Sequence, residues 1–121
     1  MIQRETNLIV IDNTGAKKVK CIKVFKNWFG SVGSTIVVVI KKCVVKKKIK
    51  KGMIFKGIIV KTKKIINRKN SNFVISNLNA VVLLKKNEKY QPAGTRVIGT
   101  VAFELRKYGY LKIISLAVSV F

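Results

Sequence analysis

Residues Thr35–Thr62 read TIVVVIKKCVVKKKIKKGMIFKGIIVKT. Two β-branched apolar runs, Ile36–Ile40 and Ile58–Val60, each have the composition of a buried strand. Between them, seven of the eleven residues from Lys41 to Lys51 are lysine: Lys41, Lys42, Lys46, Lys47, Lys48, Lys50 and Lys51. Unpaired charges at that density cannot be buried. The stretch therefore predicts two rigid strands that hold a cationic loop out in solvent. Gly52 supplies a turn before the second strand, Met53–Thr62.

Upstream, Leu8–Ile11 reads as a short strand. Asp12-Asn-Thr-Gly15 is a turn in which Asp or Asn bonds the local backbone and Gly takes a positive φ. Lys17–Phe25 is the next strand and alternates in part, with Lys18, Lys20 and Lys23 outward and Val19, Cys21 and Val24 inward. Together with Lys17 this makes a hairpin with a basic outer face. The following loop, Lys26–Gly33, contains Trp28 and Phe29. That aromatic pair either stacks on an RNA base beside Lys26 or caps one end of the core.

Downstream, Lys63–Asn72 is polar and basic, with Asn67–Ser71 as its tip and Arg68 within it. Phe73–Ile75 and Ala80–Leu84 are short extended segments, and Lys85–Pro92 is a surface loop. After Gly99, Thr100 caps a predicted helix over Val101–Tyr108 with Gly109 just past its end. Val101, Leu105 and Tyr108 share one face of that helix. Glu104 early and Arg106 and Lys107 late suit its dipole. Tyr110–Leu116 packs back on the core. Many short strands with Gly-marked turns, followed by one short helix, predict a mainly β protein: a small barrel with an α-containing tail. Closure removes exposed strand edges, which matters for a chain rich in Ile and Val. No repeat or linker divides the chain, so residues 1–121 read as a single domain, with a C-terminal helical segment from about residue 95.

The 121 residues are 49% hydrophobic, yet 26 basic side chains face only Glu5, Asp12, Glu88 and Glu104, for a net charge of +22. Self-repulsion at that charge favours a polyanionic environment. No apolar run approaches the ~20 residues of a membrane-spanning helix, and none reads as a long basic amphipathic helix. The N-terminus resembles no signal peptide and enters a strand too early for a cleavable transit segment. Nucleic acid is thus the expected partner, without membrane insertion. With no histidine, no metal-ligand spacing and no paired carboxylates, neither an enzyme, nor a cofactor, nor a small-molecule substrate is expected. Cys21 and Cys43 read as small buried side chains in a reducing compartment. All but four of the basic residues are lysine, and Ile and Asn are abundant. An AT-rich organellar or endosymbiont gene gives that bias. No sequence-reading RNA module is visible, which favours recognition of phosphate and shape.

Several motifs resemble one family. They are Met1-Ile-Gln3, Asp12-Asn-Thr-Gly-Ala16, Val19-Lys-Cys-Ile-Lys-Val24, Lys50-Lys-Gly52, Gly94-Thr-Arg96 followed by Gly99, and Glu104-Leu-Arg106 through Lys112-Ile-Ile-Ser-Leu-Ala117. In order and spacing they resemble the universal large-subunit ribosomal protein fourteen of bacterial and organellar type. Ser71, Ser76, Ala93 and Val118 depart from the family pattern, and Val118 removes the proline that begins a final short helix.

The resemblance implies a five-stranded closed barrel with a projecting β-hairpin and a short α-helical C-terminal region. It implies a structural role in the large ribosomal subunit, binding to large-subunit rRNA and contribution to intersubunit bridges with small-subunit rRNA. Ribosomal proteins three and nineteen are the implied neighbours, and a ribosome silencing factor the implied regulator. On this reading Lys17, Lys18, Lys20, Lys23, the seven lysines of Lys41–Lys51 and Arg68 bind rRNA. Thr95, Arg96, Arg106, Lys107 and Lys112 lie at the subunit interface. With the compositional bias, the resemblance implies a mitochondrion that encodes the protein as the expected location, with a plastid or bacterial cytoplasm as alternatives. A free-standing barrel-type nucleic-acid chaperone and a cationic membrane-surface protein are the alternative functions.

Overall fold

The computed structural model describes residues 2–26, 28–44, 48–64, 66–67, 69, 72–87 and 90–121. Its strands are β1 (Asn7–Val10), β2 (Ala16–Val24), β3 (Thr35–Cys43), β4 (Ile54–Lys61), β5 (Ile66–Asn67), β6 (Phe73–Val74), β7 (Ala80–Leu83), β8 (Val97–Val101) and β9 (Ala117–Val120). A 3-10 helix, Phe103–Tyr108, and α1, Leu111–Leu116, lie between β8 and β9. Five strands close a barrel in the order β1-β2-β3-β4-β7. Each neighbouring pair is antiparallel except β1 and β7, whose parallel pairing completes the ring. β5 and β6 form a separate two-stranded ribbon, as the hairpin expectation required. The expected tip residues Arg68, Asn70 and Ser71 lie outside the described residues.

Alternation of side chains along a strand fills the barrel. Leu8, Val10, Val19, Cys21, Ile36, Val38, Ile40, Ile59, Val81 and Leu83 form one buried cluster. Ile2 and Ile49 belong to the same cluster. Ile2 bridges to Gly30, beyond β2, and Ile49 lies in the β3–β4 connection, so the two residues close opposite ends. A Cβ on Gly30 would lie 2.6 Å from Ile59 Cδ1. Ile2, rather than the aromatic pair, therefore seals that end; Trp28 is 91% exposed and Phe29 is 46% exposed.

The two apolar runs of Thr35–Thr62 behave differently. In β3 only Ile36, Val38 and Ile40 are buried, while Val37 and Val39 are half-buried on the outside. In β4 and β7, Gly57–Val60 and Ala80–Leu83 are buried throughout. The cause is a second apolar layer outside the barrel. Val97, Val101, Leu105, Tyr110 and Ile113 pack with Ile58, Val60, Ala80 and Val82. Fully burying a large aliphatic side chain such as Leu105 or Ile113 stabilises by about 1.5–3 kcal/mol. At Gly57 an added Cβ would lie 2.7 Å from Val81 Cγ2 and 3.3 Å from the Val82 carbonyl oxygen, so close contact of β4 with β7 requires glycine.

The C-terminal third corrects the sequence reading. The predicted helix over Val101–Tyr108 is a 3-10 helix over Phe103–Tyr108, with Ala102 at its N-cap and no side-chain cap. Thr100 does not cap it, because Thr100 pairs with Ser119 in the parallel β8–β9 ribbon. The β-branched run Val97, Ile98, Thr100, Val101 prefers a strand, and the shorter helix follows. Val101, Leu105 and Tyr108 consequently do not share a helical face: Leu105 is buried and Tyr108 is 53% exposed. Gly109 ends the helix with φ 85°, and Glu104, Arg106 and Lys107 occupy the expected turns. No helix begins at Val118, which lies in β9, where its N–H group is available as a proline's would not be.

Candidate nucleic-acid interface

Two successive irregularities in the β2–β3 ladder create a dense cationic patch. Ala16 lies opposite Cys43, Lys18 opposite Lys42, and Val19 opposite Ile40. Lys17 is thus an extra residue on β2 and Lys41 an extra residue on β3. A bulge bends its strand and re-aims the side chains beside it. Strict alternation would turn one lysine of each consecutive pair into the barrel. The paired bulges instead leave Lys17, Lys18, Lys41 and Lys42 all exposed. A third irregularity, at Ile22, likewise leaves both Ile22 and Lys23 exposed. The doubled lysines were the sequence signal for these bulges.

Farther along the same wall, Lys23 stands opposite Val37, which stands opposite Lys56. Lys20 is half-buried opposite Val39. The ammonium groups of Lys23 and Lys56 lie 5.4 and 5.7 Å from the centre of the Phe25 ring. Lysine stems can cover apolar wall while their charged ends stay wet.

Lys41 and Lys42 belong to β3 rather than to the loop that follows it. In that loop Ile49 is 9% exposed and packs in the barrel cluster, whereas Lys48, Lys50 and Lys51 are exposed. Ile49 therefore pins the loop and turns its lysines outward. The base closes through Ile40 N–H to the Met53 carbonyl (2.9 Å) and Gly52 N–H to the Ile40 carbonyl (2.9 Å). Lys46 and Lys47 lie outside the described residues.

The Asp12–Gly15 turn connects this cationic wall to the Gly94–Arg96 loop. On one side, Val44 N–H donates to the Gly15 carbonyl at 2.8 Å. On the other, Asn13 Oδ1 accepts from the N–H groups of Thr95 (2.9 Å) and Arg96 (3.1 Å), and its Nδ2 donates to Thr95 Oγ1 (2.7 Å). A Cβ at Gly94 would lie 2.6 Å from Asn13 Oδ1. Thr95 and Arg96 are thus held exposed at the barrel end that also bears the lysine loop. Arg106 and Lys107 on the 3-10 helix and Lys112 on α1 are exposed on the outer layer. The guanidinium of Arg106 lies 5.3 Å from the centre of the Phe103 ring.

Asp12 anchors the turn from within and is only 5% exposed. Its Oδ1 accepts from Thr14 Oγ1 (2.6 Å) and Thr14 N–H (3.2 Å), and its Oδ2 from Leu83 N–H (3.1 Å). Burial pushes its carboxyl above the ordinary value of 3.8, outweighing these hydrogen bonds, which pull it down. Cys21 is buried as expected, and burial raises its thiol pKa; Cys43 is only partly buried. Among the described residues no three His, Cys, Asp or Glu side chains cluster as metal ligands.

A closed barrel with like charges forced together on its wall defines a small, strongly cationic β-barrel protein. Its sequence matches the family model described as ribosomal protein L14p/L23e over residues 1–121. The chain belongs to that family. It is a structural constituent of the large ribosomal subunit and not an enzyme.

Proposed function

We propose that this chain binds large-subunit rRNA through the β2–β3 wall and the Lys48–Lys51 side of the β3–β4 loop. The observation that carries this reading is the directly opposed pair Lys18 and Lys42, flanked by the extra lysines Lys17 and Lys41. Like charges directly across a sheet destabilise it. Phosphates packed against the wall remove the repulsion and release counterions. Lys20, Lys23 and, at the other end of the wall, the exposed Trp28 extend the same contact surface, the indole by stacking on an unpaired base. Lys46, Lys47 and Arg68 belong to this assignment by sequence.

Thr95 and Arg96, with Arg106, Lys107 and Lys112 on the outer layer, form the bridge to small-subunit rRNA. Their support is exposure on a loop fixed by Asn13 and the family resemblance. Ribosomal proteins three and nineteen as neighbours, a silencing factor as regulator and a mitochondrial address rest on that resemblance and on the composition.

The test is co-sedimentation with the large subunit through a moderate-salt wash. Wild type remains bound, and a Lys17/Lys18/Lys41/Lys42→Ala variant dissociates at lower salt. Equal retention would refute the assigned wall. Recovery of wild type only in the free fraction would favour a chaperone. Arg96→Glu is expected to leave assembly intact and weaken subunit joining.

A further inference from the structure

A cleft of about 670 Å3 lies between the β2–β3 connection and the loop that follows β7. That volume is within the range of about 300–1,000 Å3 typical of sites for small organic groups. Tyr90 and Tyr108, 43% and 53% exposed, present rings to it. Tyr110 is buried beneath them, 5.2 Å from Tyr90 between ring centres, with its hydroxyl 3.3 Å from Thr35 Oγ1. Lys26, Lys56 and Lys85 also line the cleft, and among its described lining residues there is no carboxylate.

The backbone around the cleft is specialised. Lys26 and Asn87 have φ 69° and 66°, and both line it. Gly33 has φ 87°, and any Cβ there would strike the Tyr108 ring. A lysine in the left-handed region is costly. The fold nevertheless keeps Lys26 beside the tyrosines. Partly exposed tyrosine rings and lysines that line one cleft match both halves of a nucleotide: a base that stacks and a phosphate that needs neutralising.

We infer that this cleft takes one unstacked nucleotide of an RNA strand, its base against Tyr90 and Tyr108 and its phosphates against Lys26, Lys56 and Lys85. The inference rests on the RNA-binding reading above but concerns a different surface from the Lys18–Lys42 wall. It adds a site for a single-stranded element to a protein whose wall recognises phosphate and shape.

The test uses the purified full-length chain with a short single-stranded RNA and an RNA duplex of equal length. Binding is followed by fluorescence anisotropy. Tyr90→Ala should weaken single-strand binding about tenfold, the loss of one base–aromatic stack, while duplex binding is unchanged. Tyr90→Phe should retain wild-type binding, because the ring and not the hydroxyl carries the stack. Lys85→Gln, at a cleft lysine outside the β2–β3 wall, should weaken single-strand binding and flatten its salt dependence. Unchanged duplex affinity and a cooperative melt establish that each variant is folded. If Tyr90→Ala and Lys85→Gln bind the single strand like wild type while duplex binding persists, the nucleotide site is refuted and the wall assignment stands. If wild type binds neither RNA, the underlying RNA-binding reading fails. Saturable, Tyr90-dependent binding of adenosine monophosphate with no preference for the strand would identify a free nucleotide as occupant and overturn the inference.

Discussion

Replacing Asn13 by Ala should release the Gly94–Arg96 loop. Three hydrogen bonds disappear: those from the Thr95 and Arg96 N–H groups and the one to Thr95 Oγ1. Each contributes about 0.5–1.5 kcal/mol net, and solvent access at this turn favours the lower half, giving a loss of about 2 kcal/mol. For a domain of this size that corresponds to a fall in Tm of roughly 8 °C. Asn13→Asp keeps an acceptor for both N–H groups, and the Thr95 hydroxyl can turn to donate, so most of the stability should return. Gly94→Ala probes the same contact from the other side. Its backbone is not in the left-handed region, and its cost comes from a Cβ only 2.6 Å from Asn13 Oδ1. Removing that oxygen should lower the cost, although Thr14 Cγ2 at 3.3 Å remains. Urea unfolding of wild type, both single variants and the double variant gives a double-mutant cycle. The double variant should be more stable than additivity predicts by about 1 kcal/mol. Strict additivity, or an Asn13→Ala protein that melts with wild type, would refute the tether.

The remaining expectations concern charge, burial and protonation. Lys18→Glu should stabilise the free protein by about 0.2–1 kcal/mol in thermal melts, because it turns a like-charge cross-strand pair with Lys42 into an opposite-charge pair. The same change should weaken RNA binding and reduce its log–log salt slope, by about 0.9 for each phosphate no longer neutralised. Leu105→Ala should cost about 2–5 kcal/mol in urea unfolding, by opening a cavity between the outer layer and β4 and β7. For Asp12, the raised folded-state pKa means that the native state holds a proton the unfolded chain has released. Its contribution to stability is present below 3.8 and is lost as pH rises through the folded-state value. Melting temperatures across the acid range should show this slope in wild type and not in Asp12→Asn. The Asn variant should also be less stable throughout, because its NH2 group faces the Thr14 or Leu83 donors.

Much of the barrel was legible in local patterning. Strand positions followed from β-branched runs, and the turns at Gly15 and Gly52 from their glycines, with φ 103° and 91°. Part of the candidate interface was legible as well, because exposed lysines had to be outside wherever the strands ran. In the C-terminal layer the expected helix end at Gly109 holds, but the expected start at Thr100 does not, because Thr100 is a strand residue. The parallel partner of Thr100, Ser119, lies nineteen residues away, and local sequence carries no trace of that pairing. The tether from Asn13 to Thr95 and Arg96 spans more than eighty positions and was equally invisible.

By itself, the sequence determined that this chain would be a cationic β protein with its lysines on the surface. Alternation and the cost of burying charge act residue by residue. Tertiary structure decided how those lysines are grouped. Ladder register placed Lys18 against Lys42, paired bulges turned Lys17 and Lys41 outward, and burial of Ile49 fixed the loop beyond them. It also decided why Ile58–Val60 is buried on both faces and Ile36–Ile40 on only one. The outer layer covers β4 and β7 and leaves Val37 and Val39 of β3 partly exposed. Register and layering depend on contacts between distant segments, so they emerge only when the chain closes on itself.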